Sequence, residues 1–279
     1  MLFVDGHPDS ANAANSLGIS IFGDGVFETL LLHEGKLHLQ SLHMERLQRG
    51  AERLGLDFSE QAVFHELQSF IQHYQLENKT WRVRLVLARA YNQSGYSAQQ
   101  SKTVRCLSAV AQPLPGFEPV SVNVSGIAIS QQPQLAGIKH CNRLENILAR
   151  QEQERSGFDE SLLLDHNNCP VECIAANFFI VSDGCLLTPD LSSCGVAGTI
   201  REYILQTVSA ELGLTTSIET LRLQDLLAAD AFFICNSIRG VSPVSRFVSK
   251  AGQRSWSEFG LVKKIQQRVL ASMTEHVAG

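Results

Sequence analysis

The chain has 279 residues, 44% of them hydrophobic and 18% charged, which is apolar enough to bury a sizeable core and excludes a disordered chain. That length fits two modest domains or one large one. The formal net charge is -5, with 23 basic against 28 acidic residues, so nothing electrostatic points to nucleic acid or an anionic membrane as partner.

In chain order, residues 1–4 form a short apolar run closed by Asp5-Gly6, a hairpin-type turn. No basic stretch leads an apolar run near the start, so a signal peptide is not expected. No run of about 20 apolar residues occurs, so no bilayer-spanning helix is expected. Residues 27–33 read as a strand that Glu34-Gly35 turns into 36–39. Leu42, Leu47, Ala51 and Leu54 repeat at helical spacing and predict a helix over 40–54. A second helix is expected over 59–72 and a strand over 80–87.

Three prolines in Gln112-Pro113-Leu114-Pro115-Gly116-Phe117-Glu118-Pro119 remove backbone donors and fix φ, so regular structure should stop there. The expected division is a small N-terminal domain over 1–110, a linker over 111–120 and a larger C-terminal domain over 121–279. In the second part, strands are expected over 120–129, 160–164, 178–181 and 231–235. Helices are expected over 142–155, with Leu144, Ile147 and Leu148 on one face, over 201–212, and over 257–273. The class is α+β in two domains.

The seven cysteines are odd in number and scattered, which reads as reduced thiols in the cytoplasm rather than a disulfide frame. Cys169 and Cys173 are four apart, but no second pair or suitably spaced histidine follows, so no metal site is expected.

Five segments could carry chemistry. Lys139, in Ala136-Gly137-Ile138-Lys139, stands just before a helix. Partial burial would lower its pKa and make its amine a Schiff-base nucleophile; otherwise it is a solvated loop lysine. Glu172 is a single carboxylate in an apolar stretch and requires a partner, either a structural arginine or a protonated heterocyclic nitrogen. Gly198-Thr199-Ile200-Arg201 opens a helix, either as an anion site or with Thr199 as a plain N-cap. Asn236-Ser237-Ile238-Arg239-Gly240 follows a buried strand, as a second anion contact or only a turn. Arg46 lies one turn beyond His43, as a phosphate ligand or a solvated face residue.

Their joint order is more specific. Gly23-Asp24-Gly25-Val26-Phe27-Glu28-Thr29, His43-x-x-Arg46-Leu47, Gly137-Ile138-Lys139, Val171-Glu172 with Asn177-Phe178, and Gly198-Thr199-Ile200-Arg201 follow one another as in the fold-type IV pyridoxal-phosphate enzymes. The chain resembles that family from Phe3 to about Val244. The resemblance implies a D-amino acid aminotransferase-like fold, with a small N-terminal α/β domain, a larger C-terminal pseudo-barrel domain and pyridoxal 5'-phosphate as cofactor. It makes Lys139 the covalent anchor and catalytic base, and places Glu172 at the pyridine nitrogen. Arg46, Thr199, Ile200 and Ser237 would then hold the phosphate. It also implies a homodimer acting on a small molecule.

Within the family, Gly137-Ile138-Lys139-His140-Cys141-Asn142-Arg143-Leu144-Glu145 looks like the lysine segment of the 4-amino-4-deoxychorismate lyases. Phe22-Gly23-Asp24-Gly25 and Ser94-Gly95-Tyr96-Ser97 fit the same group. The implied reaction is a β-elimination giving 4-aminobenzoate and pyruvate, with Arg89 as a candidate for a substrate carboxylate or else an exposed arginine. D-amino acid or branched-chain transamination is the alternative, and an inactive scaffold of the same fold is the non-enzymatic one. Branched-chain aminotransferases usually carry a tyrosine where Leu144 stands. The chain departs from many relatives at Ser16-Leu17 (usually Asp-Arg), at Cys141 (usually leucine) and at Pro170-Val171 (usually valine-threonine).

Overall fold

The computed structural model describes residues 2–8, 22–90, 96–97 and 102–272. Ser16, Leu17, Ser94 and Gly95 lie outside them. The chain divides into two compact units, one within Met1–Leu114 and Ile138–Asn142, the other within Pro115–Gly137 and Arg143–Gly279.

The first unit is an antiparallel sheet with two helices. Its strands are β1 (Leu2–Val4), β2 (His7–Pro8), β3 (Gly25–His33), β4 (Lys36–Leu37), β5 (Thr80–Arg89) and β6 (Thr103–Ala111). They lie in the order β2-β1-β6-β5-β3-β4. On β5, Val83, Leu85 and Leu87 are buried while Arg82 and Arg84 face solvent, the period-two pattern of a half-covered strand. α1 (Gln40–Leu54) packs on β3, and α2 (Glu60–His73) packs on β6. α2 starts at Ser59, whose Oγ accepts the Ala62 N–H at 3.3 Å.

The segment Ile138–Asn142 adds to this sheet. Phe27 N–H donates to Lys139 O at 2.9 Å, and Cys141 N–H donates to Gly25 O at 2.8 Å. The lysine segment is therefore a short extra strand along the start of β3.

The second unit is a larger mixed sheet. Its elements are β7 (Val120–Val124), α3 (Leu144–Ser156), β8 (Glu160–Leu164), β9 (Pro170–Cys173), β10 (Asn177–Ser182), β11 (Cys185–Pro189), α4 (Thr199–Tyr203), α5 (Ser209–Glu211), β12 (Thr215–Glu219), α6 (Leu223–Ala228), β13 (Ala231–Asn236), β14 (Gly240–Ser249), β15 (Gly252–Ser255) and α7 (Gly260–Ala271). A π-helical turn, Ile204–Val208, joins α4 to α5. The strand order is β12-β11-β10-β13-β14-β7-β8-β9, with β15 paired to β14. β9 leads into β10 through a tight turn in which Cys173 N–H donates to Ala176 O at 2.8 Å.

Phe178, Phe232, Phe247 and Trp256 fill one face of this sheet, with Phe232 edge-on to the other three rings at 5.6, 5.7 and 5.9 Å. A second cluster, Ile129, Ala149, Leu163, Val171, Ile174, Leu191 and Cys194, lies where α3 covers β8.

Several expectations need correction. The strand expected over 120–129 ends at Val124. The helix expected over 201–212 begins at Thr199 and passes through the π turn. Gly198 is its N-cap in extended conformation, so Thr199 is the first helical residue rather than the cap. The face Leu144, Ile147, Leu148 of α3 does not enter the core: these side chains are 67%, 52% and 50% exposed. α3 packs instead through Ala149 and Gln153. All seven cysteines are free thiols, and no described helix is long and apolar enough to cross a membrane.

Candidate active site

In the first unit three buried polar side chains, Glu28, His43 and Arg46, gather between β3 and α1. The pleat puts Val26, Glu28 and Leu30 on the buried face of β3. Glu28, His43 and Arg46 are 1%, 1% and 5% exposed, so the arginine is not the solvated face residue its helical position first suggested. Arg46 Nε donates to Glu28 Oε1 at 2.8 Å, and Arg46 Nη2 donates to Glu28 Oε2. His43 Nδ1 lies 2.6 Å from the same Oε2. Burial alone would raise the Glu28 pKa, but the charge and hydrogen bonds of Arg46, helped by His43, hold it down at about 2. Burial depresses His43 against the pull of Glu28, and the nearby Arg46 and Lys139 charges add to the depression.

Lys139 is half-buried, with Nζ 4.6 Å from the Phe27 ring centroid, a cation–π distance. Its backbone is fixed by the pairing with β3 described above. Arg89 ends β5 in the same unit. Its Nε donates to Asp24 Oδ2 at 2.7 Å, its Nη1 to Gly55 O at 3.2 Å, and its Nη2 to Leu54 O. The fork offered to a substrate carboxylate is therefore laid across the carbonyl end of α1, a structural use of a cation at a helix C-terminus.

In the second unit, Glu172 is 4% exposed on β9, and its Oε2 accepts the Val196 N–H at 2.8 Å. Asn177 Nδ2 donates to Val196 O at 2.8 Å, so one loop residue is held from both sides. Gly195 has φ +84°, and a Cβ there would come within 2.9 Å of a Val171 methyl carbon. Gly198 is tighter: a Cβ would lie 2.0 Å from Asn177 Oδ1. The loop thus passes where only backbone fits, and it delivers Thr199 and Ile200, both buried, to the start of α4. Arg201 anchors that start, through Nε to Thr188 Oγ1 at 3.2 Å and Nη2 to Pro189 O at 3.0 Å.

Ser237 sits in the turn between β13 and β14. Asn236 Oδ1 accepts the Ile238 and Arg239 N–H groups at 3.0 and 2.7 Å, and Asn236 Nδ2 donates to Ala175 O at 2.9 Å. That bond ties the Ser237 turn to the segment just after Glu172. The loop also pairs with Gly137, whose N–H donates to Gly195 O at 2.9 Å and whose carbonyl accepts the Ala197 N–H at 3.1 Å.

A comparison with known families places these features. The pattern of amino-transferase class IV matches residues 25–247. The chain belongs to the class IV aminotransferase family. The match takes in every segment named above from β3 to β14. An aminodeoxychorismate lyase of Vibrio harveyi is 31% identical over 229 residues, 80% of this chain and 83% of its own. A D-alanine aminotransferase of Bacillus licheniformis is 27% identical over 229 residues, 80% of this chain and 79% of its own. Among solved structures, the 4-amino-4-deoxychorismate lyase from Pseudomonas aeruginosa superposes with a TM-score of 0.86 at 32% identity, covering 97% of this chain and 98% of that one. The fold is that of the fold-type IV enzymes within this family.

Glu28 was not singled out in the sequence beyond its motif. A carboxylate between Val26 and Leu30 on one strand face was the available signal, since a buried charge needs a partner.

Proposed function

We propose that this chain is a pyridoxal-phosphate-dependent lyase that converts 4-amino-4-deoxychorismate to 4-aminobenzoate and pyruvate. The observation that carries the reading is its likeness to aminodeoxychorismate lyases at 31% and 32% identity, each over at least 80% of the chain.

Each unit holds residues that would suit part of the cofactor. In the first, Arg46 would suit an anionic group; in the second, so would the Thr199 and Ile200 amides at a helix start whose Gly198 leaves no room for a side chain. A ring nitrogen suits the buried carboxylate of Glu172, and an aldehyde suits the amine of Lys139. Ser237 adds a hydroxyl for the phosphate. Pyridoxal phosphate supplies covalent capture of an amine and a protonated ring that accepts electrons. Glu172 would keep the proton at the pyridine nitrogen. Lys139, as general base, would take the proton from the substrate carbon that bears the nitrogen. The C–O bond to the neighbouring enolpyruvyl group would then break as the substrate ring becomes aromatic, and the departing enolate would take a proton from the Lys139 ammonium at its methylene carbon and leave as pyruvate. Aromatisation drives the reaction, so orientation of the C–H bond and exclusion of water are the main demands on the protein. Arg89 is left with its structural role.

A homodimer is our reading of the exposed Leu144, Ile147 and Leu148 stripe on α3, apolar surface of the kind that marks an interface. A cytoplasmic location is our reading of the seven free thiols.

The test is pyruvate release from 4-amino-4-deoxychorismate with no keto acid added. The parent should form pyruvate and 4-aminobenzoate in equal amounts, and Lys139→Ala should form neither. Strict dependence on a keto-acid acceptor would make the protein a transaminase, the reading that likeness to D-alanine aminotransferase favours. A purified protein without pyridoxal absorbance would make it a scaffold.

A further inference from the structure

We propose that Glu28 is a positioning residue that aims the Arg46 guanidinium at the phosphate of pyridoxal phosphate, an inference that rests on the cofactor reading above. The geometry supplies the argument. Glu28 takes Arg46 side-on, one carboxylate oxygen on Nε and the other on Nη2. A side-on pair fixes the plane and rotation of the guanidinium, because two parallel hydrogen bonds leave it no torsional freedom. The direction of the opposite edge is then set by the carboxylate.

His43 fixes the carboxylate in turn. It stands one helical turn before Arg46 on α1, and its Nδ1 reaches Glu28 Oε2 at 2.6 Å. Depressed by burial, His43 stays neutral at pH 7, so it orients Glu28 without competing for its charge. The three side chains form a chain of command from β3 through α1: His43 holds Glu28, and Glu28 holds Arg46.

A purely structural triad is a poor use of this position. Its neighbours Val26, Leu30, Met44 and Leu47 are all buried, and an apolar trio of similar volume would pack among them without the desolvation cost of three polar groups.

The experiment compares pyridoxal phosphate with pyridoxal, which lacks the phosphate, in the parent, Glu28→Gln, Arg46→Ala and the double variant. Holoprotein is purified, its retention of cofactor on dialysis is measured, and rebinding of each vitamer is titrated by absorbance. Glu28→Gln should weaken pyridoxal phosphate by about 10- to 100-fold, the range for loss of a charge-assisted hydrogen bond, while pyridoxal binding stays within about twofold. Adding Glu28→Gln to Arg46→Ala should cost nothing further. Equal weakening of both vitamers, or additive losses in the double variant, would make Glu28 a structural residue and overturn the inference alone. A parent that binds pyridoxal as tightly as pyridoxal phosphate would overturn the phosphate role of Arg46 and the inference with it. If Glu28→Gln fails to fold, His43→Gln loosens the carboxylate and should produce a smaller loss confined to pyridoxal phosphate; a loss shared by both vitamers would again overturn the proposal.

Discussion

Glu172 Oε2 accepts the Val196 N–H at 2.8 Å, so the carboxylate of β9 is fastened to the loop that starts α4. Glu172→Gln keeps an oxygen for Val196 but removes the charge. It should fold with nearly parental thermal stability while kcat falls by about 100-fold or more, the scale of losing one electrostatic partner at a reacting centre. Glu172→Ala removes the acceptor too and should lower both kcat and Tm. A melting curve beside an initial-rate assay separates the two.

Acid should unfold the first unit through Glu28 and His43. The Glu28 carboxyl is held at about 2 against an ordinary 4.5, so its contribution is complete above pH 4.5 and lost as the pH falls from there towards 2. His43 is depressed below 6.5, so the unfolded chain takes up its proton first and stability also falls as the pH drops below 6.5. Both act in one direction. Tm measured from pH 7.5 to 3 should decline on the acid side, and Glu28→Gln should flatten the segment below pH 4.5.

Arg89→Ala should cost stability rather than substrate affinity. It removes one ion pair to Asp24 and two hydrogen bonds to the last carbonyls of α1. The expected loss is about 1–3 kcal/mol, read by urea denaturation, with KM within about twofold of the parent. A large rise in KM at unchanged stability would return Arg89 to the substrate.

The apolar stripe on α3 predicts assembly. Glu in place of Leu144 and Leu148 should leave the fold of each chain intact by circular dichroism and halve the particle mass measured by light scattering. An unchanged mass would assign the stripe to some other partner.

Particular residues explain what the sequence disclosed. α1 was legible because Leu47 and Ala51 recur at helical spacing among polar neighbours, and the element runs over the expected 40–54. β5 alternates clearly enough to be read as a strand, and β3 is read from its apolar run closed by Glu34-Gly35. β12 (Thr215–Glu219) escaped because almost all of it is polar and exposed, an edge strand held mainly by backbone pairing to β11. β6, another strand not foreseen, lies between β1 and β5, and its ladder depends on residues far off in sequence. The Leu144, Ile147, Leu148 face gave correct helical periodicity but the wrong environment, because periodicity reports amphipathicity and not what covers the apolar side. The segments around Lys139, Glu172 and Thr199 were recognisable as a set through their order. The ion pairs of Arg46 and Arg89 were not, since they depend on Glu28 and Asp24 meeting them in space.

The pairing of Lys139 and Cys141 with Phe27 and Gly25 bears on how the molecule can be cut. A gene fragment stopping at Leu114 would hold nearly all of the first unit yet leave the Phe27 N–H and the Gly25 carbonyl open at the sheet's margin. Such an open margin invites another chain to add to it. Isolated halves should therefore be sticky, and supplying a peptide spanning 138–142 in trans should relieve it.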